Sequence, residues 1–498
     1  MTTAVRARDN FVSHTAHYAI GNMARRLVGF LMLPVYTRYL TPADYGAVGL
    51  LIFAMALLEP LFGARLVQAL PKFYFEAKDD RSQAAVVWSA LTVTGSVSAM
   101  TMVLLILLRD PTSHLLFGTS KYALATGLFA VNMLSQPIEY TGMLYLRMRQ
   151  RSRLFLGISM SKLVLQVTLN LLFVVYWRLG VVGVVLGGVL ASAVTATGLT
   201  AYVARCSRPV LDSTTMARML HFCWPLWFAG IAGLYTGSAG AVYLRVFDSL
   251  SNVGLLELGL RFATVVGLLV WSPFFQHWEP VSYRYHSEGT EPERFQVALI
   301  AVSTLMVIGG LGVSIFSEPV IHLMAAGAFH GAAKIVPVLT LGLILNNLSS
   351  FFYFSFFVTE HTRMFGYSRY LTAGILTIVY LTAIPKFGLE GAAAGQCLVF
   401  AVNFVYMYIW SRRLYDPGFD IIPTVVLVGL GAIAYVCATT LNPFRSIAIN
   451  LPVKAGIFML TAALMGVVGI SAIRKVSHSA YDNILSALRR LRFALPVN

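Results

Sequence analysis

Apolar residues run through this chain in blocks of about twenty, parted by short polar turns. A helix that crosses a bilayer needs about 20 mostly apolar residues. Fourteen stretches meet that length: 15–37, 45–70, 84–108, 121–146, 154–177, 181–204, 219–244, 251–279, 296–316, 334–358, 367–384, 389–411, 422–440 and 452–473. The runs are too long, and alternate too little, for the strands of a membrane barrel. The pattern therefore predicts an all-α polytopic membrane protein with about 14 transmembrane helices. The longest polar connections, near 71–83, 205–218 and 280–295, are too short to fold alone. No GxxxxGKS/T phosphate loop occurs, so movement has to draw on an ion gradient, the membrane potential, the cargo's own gradient or a partner.

Composition agrees with this reading. Of the 498 residues 57% are hydrophobic and 12% charged, where a soluble domain carries about 25% charged residues. Mean hydropathy is +0.73. The start, MTTAVRARDN, is polar, and the first apolar block is too long and too charged for a signal core, so no cleavable signal is expected. Cys206, Cys223, Cys397 and Cys437 show no CxxC spacing, and neither a disulfide nor a metal site is expected. No cofactor is expected either.

The net charge of +16 follows from topology rather than from nucleic acid. With the N-terminus inside, 23 Lys and Arg fall on cytoplasmic segments, nine on the opposite side and five within spans. That bias places both termini in the cytoplasm. The run RMRQRSR at 147–153 then anchors topology rather than binding phosphate.

A duplication is visible at an offset near 208. Gly46 and Gly254 correspond, each preceded by a polar turn and an arginine (Arg38, Arg245). Gly180, Gly183 and Gly187 correspond to Gly388, Gly391 and Gly395. Ser152-Arg153-Leu154-Phe155 and Thr362-Arg363-Met364-Phe365 are a third pair, at 210. Three ordered matches predict two six-helix lobes, 1–208 and 209–416. An even helix number makes the lobes parallel repeats, with a substrate site between them. Residues 417–498 add two helices and a basic amphipathic tail, SHSAYDNILSALRRLRF.

Charges inside spans are functional candidates by default, because each costs roughly 2.5–3.5 kcal/mol at a helix centre. They are Arg25, Arg26, Glu59, Arg65, Glu139, Lys162, Glu257 and Arg261, with Glu279 near a span end. The cations Arg25, Arg26, Arg65, Arg261 and Lys162 suit an anionic cargo such as a pyrophosphate lipid, since a guanidinium binds phosphate oxygens bidentately and stays charged. Glu59, Glu139 and Glu257 are candidates for coupling to a proton or sodium gradient, or for pairing with those cations; Glu257 and Arg261 stand one turn apart. Pro60, Pro137, Pro225, Pro273 and Pro337 interrupt spans as ordinary membrane-helix prolines or hinges. The run FFYFSFF at 351–357 packs between helices, faces lipid or stacks sugars.

The segment GNMARRLVGFLMLPVYTRYLTPADYGAVGLL resembles the N-terminal signature of bacterial polysaccharide flippases. The matching positions are Gly21-Asn22, Gly29-Phe30, Leu33-Pro34, Tyr36 to Leu40 and Asp44-Tyr45-Gly46. The doubled Arg25-Arg26 departs from the signature. These flippases belong to the multidrug/oligosaccharidyl-lipid/polysaccharide superfamily, with the lipid II flippases and the MATE drug exporters. The resemblance implies two lobes in a V around a central cavity, and transfer of undecaprenyl-pyrophosphate-linked oligosaccharide from the inner to the outer leaflet of the cytoplasmic membrane. It also implies cavity arginines on the first, second and eighth spans, where Arg25, Arg26, Arg65 and Arg261 lie. Membrane lipids, a polysaccharide polymerase and a chain-length regulator are the expected partners. An ion-coupled MATE-like antiporter should show a more acidic cavity, and a membrane glycosyltransferase needs a long outer catalytic loop. A non-transporting scaffold fits the duplication and buried charges poorly. The chain is expected to be a transporter, not an enzyme.

Overall fold

The computed structural model describes residues 29–62, 66, 69–289, 291–440 and 447–477. Arg25, Arg26, Arg65, the lead 1–14 and all of the basic tail after Ser477 lie outside the described residues, as does the side chain of Glu59. Among the described residues there are helices and turns and no strand.

Two compact units divide the chain, Met1–Gly254 and Leu255–Asn498. In the first, α1 (Leu33–Tyr39), α2 (Pro42–Phe62), α3 (Leu70–Glu76), α4 (Asp80–Leu107), α5 (Arg109–Phe117), α6 (Ala123–Met148), α7 (Ser152–Asn170), α8 (Gly180–Cys206) and α9 (Ser213–Phe247) follow in order. α10 (Leu250–Val266) begins in the first unit and ends in the second. Then come α11 (Ser272–Glu288), α12 (Glu291–Met324), α13 (Val336–Ser349), α14 (Tyr353–Val358), α15 (Thr362–Leu414), α16 (Ile422–Thr440) and α17 (Ile447–Val476). Nine helical spans among the described residues are long and apolar enough to cross a membrane. The shorter α2 adds an apolar segment, Pro42–Leu58.

The predicted blocks are helical, with local differences. Of the second block, Pro42–Phe62 is helical, and residues 63–65, 67 and 68 lie outside the described residues. Two of the long polar connections are partly helical: α3 fills 70–76, and α11 carries its helix out to Glu288. Leu250–Glu288 is one 39-residue span, about 58 Å at 1.5 Å per residue and nearly twice the hydrocarbon core. Its widened turn, Gly267–Trp271, bonds the Ser272 amide to the Gly267 carbonyl. Pro273 follows in the first turn of α11 and offers no N–H to the turn before it.

The duplicated glycines take the same jobs in both repeats. Gly180 (φ 58°) and Gly388 (φ 52°) are both left-handed, a region open to glycine at little steric cost. Gly180 starts α8, and Gly388 breaks α15 into the two predicted spans. A β-carbon on Gly183 would sit 3.0 Å from the Phe173 carbonyl oxygen, and one on Gly391 2.5 Å from that of Ala383. These glycines thus let each helix fold back tightly on the one before it.

In the first unit α6 packs against α8 and α4, and α8 also packs on α7. One core joins Leu70, Phe73 and Tyr74 to Val87, Leu91, Tyr145, Val203 and Met219. The second unit carries an aromatic core. Trp278 stacks on Phe351 at 4.9 Å and meets Phe295 edge-on at 4.9 Å. Phe351, Phe352, Phe354 and Phe356 are all buried there. The aromatic run at 351–357 is therefore mainly packing between helices. α16 and α17 dock on α12, with Val307, Leu311 and Ile315 against Leu427, Ala434 and Met465.

Candidate functional site

The described intramembrane charges fall into two groups. In the first unit, Glu139 lies on α6 and Lys162 on α7. The Lys162 ammonium donates to both carboxylate oxygens of Glu139, at 2.8 and 2.6 Å. Both side chains are nearly shut off from the surface, at 14% and 8% exposure. Two full charges in such a place persist only because they compensate each other. The structure thus joins a candidate cargo-binding cation to a candidate coupling acid.

In the second unit Glu257 and Arg261 stand on α10, one turn apart and half-buried. Arg261 is the charge whose field acts on Glu257. A second ion pair, not foreseen, joins Lys454 on α17 to Glu318 on α12 at 2.7 Å. Lys454 is 5% exposed.

The segment 36–46, which carries much of the resemblance, is a junction. Thr41 and Asp44 form a reciprocal cap on α2: the Thr41 hydroxyl donates to Asp44 Oδ2 at 2.8 Å, and the Asp44 amide donates to Thr41 Oγ1 at 3.1 Å. Pro42 sits at the first helical position, where no amide bond is lost. The other carboxylate oxygen of Asp44 accepts from the Tyr122 hydroxyl at 2.9 Å and the Lys121 ammonium at 3.2 Å. Asn170, buried at the end of α7, donates to the Tyr36 hydroxyl at 2.6 Å. A β-carbon on Gly187 would collide with the Asn170 amide oxygen, so the third glycine of the first repeat makes room for it. Gly46 packs against the backbone of Leu250 and Gly254. Sequence spacing could not show these partners, since Tyr122 and Asn170 lie 78 and 134 positions from their acceptors.

The comparisons with known proteins agree with one another. A family model described as "Polysaccharide biosynthesis protein" matches residues 11–286. No curated protein matches by sequence. Among solved structures, the chain is similar to a lipid II flippase, MurJ, in an inward closed conformation. That match has a TM-score of 0.75 and 12% identity, and covers 90% of this chain and 97% of that one. It is also similar to an inward-facing multidrug resistance MATE transporter of the MOP superfamily. Here the TM-score is 0.62 at 15% identity, over 79% of this chain and 97% of the other. A MATE protein in a straight conformation gives 0.57 at 14% identity, over 81% and 95%. At these identities the structures establish a shared fold, and the model match covers more than half of the chain. The chain belongs to the polysaccharide biosynthesis protein family, and it is a multi-pass membrane protein with the fold of the lipid II flippase and MATE structures.

Proposed function

We propose that this protein flips an oligosaccharide carried on undecaprenyl pyrophosphate from the inner to the outer leaflet of the cytoplasmic membrane, for surface polysaccharide synthesis. The family match over 11–286 is the observation that carries the proposal. The fold shared with a lipid II flippase over 97% of that protein's length adds to it. Cations held within apolar helices provide the chemistry, because a pyrophosphate head loses its water on entry and needs compensating charge.

Arg25, Arg26, Arg65 and Arg261 are the proposed pyrophosphate ligands, binding in alternating access. Lys162 is tied to Glu139 and enters the proposal as a positioning residue of α7. Glu257 enters as the partner of Arg261, and no acid is assigned to ion coupling. Both termini are proposed to be cytoplasmic, as the positive-inside bias requires. The proposed role is transport without covalent chemistry.

The test is deletion of the gene in its bacterial host, with analysis of lipid-linked oligosaccharides and surface polymer. Complementation uses the wild type and Arg25→Ala, Arg26→Ala, Arg65→Ala and Arg261→Ala. The expected result is loss of a surface polymer with its lipid-linked unit stranded on the inner leaflet, restored by the wild type alone. Unchanged glycans with altered drug sensitivity would replace the flippase by an antiporter. Unchanged lipid-linked units with disordered polymer length would point to a scaffold.

A further inference from the structure

A cleft of about 410 Å³ opens between α7 and α8. Its walls are Leu154, Ile158, Leu165, Val194 and Leu199, with Gly157 and Gly198 giving the width. Two ionisable side chains line it, Arg153 and Lys162. Lys162, deep in the span, is neutralised by Glu139. Arg153 is exposed, one residue inside the start of the span, and has no hydrogen-bond or ion-pair partner among the described residues. The cleft is therefore cationic at the membrane surface, neutral at depth and apolar along its walls. From Arg153 to Leu165 it runs roughly 18 Å down the helix.

We infer that this cleft seats one anionic glycerophospholipid of the surrounding leaflet, with an acyl chain between α7 and α8 and its phosphate on the guanidinium of Arg153, which gives the last residue of the run 147–153 a phosphate-binding role that its charge pattern alone did not suggest. Charge complementarity selects the occupant. A zwitterionic lipid brings its own cation to a mouth that already holds one. A packed protein helix would leave the Arg153 charge unanswered. An arginine at headgroup depth favours an anionic lipid, and its fork donates to two phosphate oxygens at once. Lipid held here would wedge between α7 and α8 beside the Glu139–Lys162 pair, and so stiffen the first unit from its lipid side.

The experiment is native mass spectrometry of the purified, delipidated chain. It is titrated with phosphatidylglycerol and with phosphatidylcholine of matched acyl chains. Wild type is expected to prefer phosphatidylglycerol at one site. Arg153→Gln should lower that preference about fivefold, the share of one arginine near an anionic surface. Arg208→Gln, an exposed arginine outside the cleft, should leave it unchanged. Gly157→Leu and Gly198→Leu fill the cleft, where an added β-carbon meets nothing within 4 Å. They should abolish the site for both lipids, with melting temperatures unaltered.

An Arg153→Gln variant with the wild-type preference overturns the inference, as do filled-cleft variants that bind as before. Loss of a dimer in the filled variants, with lipid binding kept, assigns the cleft to a second copy. Displacement of the bound lipid by undecaprenyl pyrophosphate that depends on Arg153 assigns it to cargo. Either outcome rejects a resident phospholipid. Failure of the flippase proposal would leave these measurements untouched.

Discussion

Gly46 and Gly254 stand 208 positions apart in sequence and lie backbone to backbone. A β-carbon on Gly46 would sit 2.7 Å from the Gly254 nitrogen, and one on Gly254 would sit 3.2 Å from the Gly46 nitrogen. The same repeat position thus supplies both faces of one close approach. A side chain on either requires two helix starts to part. Gly46→Ala and Gly254→Ala are each expected to destabilise by about 1–3 kcal/mol, the usual cost of overpacking. Because the two share one gap, the double variant should lose less than the sum. Melting in detergent checks this, with Gly374→Ala as control, since a β-carbon there meets nothing within 4 Å.

Gly180 and Gly388 test the repeat in another way. Both have positive φ, and Gly388 combines it with ψ −127°; a residue with a β-carbon in such sparsely populated regions costs about 1–3 kcal/mol. Alanine at either position should lower stability by a similar amount. Unequal losses beyond that range would mean that the two turns have diverged in their packing. Parallel melting curves of the two variants decide it.

Removing half of the Glu139–Lys162 pair should be worse than removing all of it. Glu139→Gln leaves a shielded ammonium unanswered, at about 3–5 kcal/mol. Glu139→Leu combined with Lys162→Met should recover most of that loss, because apolar residues of similar volume need no compensation. A thermal double-mutant cycle checks the order. A double variant as unstable as the single one contradicts it.

Asp212 gives a pH dependence. It caps α9, accepting from the Thr214 amide at 3.1 Å and the Thr215 amide at 3.3 Å. Bonds from the hydroxyls of Thr215 and Thr214, then from their amides, hold its carboxyl at about 2, below the ordinary 3.8. A carboxyl depressed on folding stabilises fully above its ordinary value and loses that contribution as pH falls through the folded one. Amides at 214 and 215 should therefore stay protected at pH 5 and lose protection progressively between about 4 and 2. Hydrogen exchange, corrected for intrinsic rates, measures it. Asp212→Ala should remove the protection at every pH.

Much of the fold was legible because its signals are local. A bilayer demands long apolar runs, so blocks such as 84–108 and 181–204 announce helices Asp80–Leu107 and Gly180–Cys206. The glycine triplets were legible because left-handed turns and close carbonyls admit little else. What escaped depends on residues distant in the chain. Lys162 finds Glu139 23 positions back on a neighbouring helix, which no helical spacing rule reaches. Glu318 and Lys454 are 136 apart. Asp44 looked like part of a turn, and its bonds to Tyr122 and Lys121 appear only once α2 and α6 are placed. Arg261 has its place beside Glu257, while Arg25, Arg26 and Arg65 fall outside the described residues.

The Glu318–Lys454 bridge bears on how the protein is made. α17 is the last described helix to be synthesised, and it carries a lysine that ends 5% exposed. Offered to the bilayer alone, such a residue, the fifth of the span Asn450–Val476, carries a charge with no partner. Its counter-charge was translated 136 residues earlier, on α12. The partner of this lysine is therefore already made when α17 is synthesised, so α17 can enter the membrane as one half of a pair rather than as a lone charge. A chain that lost Glu318 would have to place α17 with its lysine unanswered, and less of it is expected to reach the membrane in folded form.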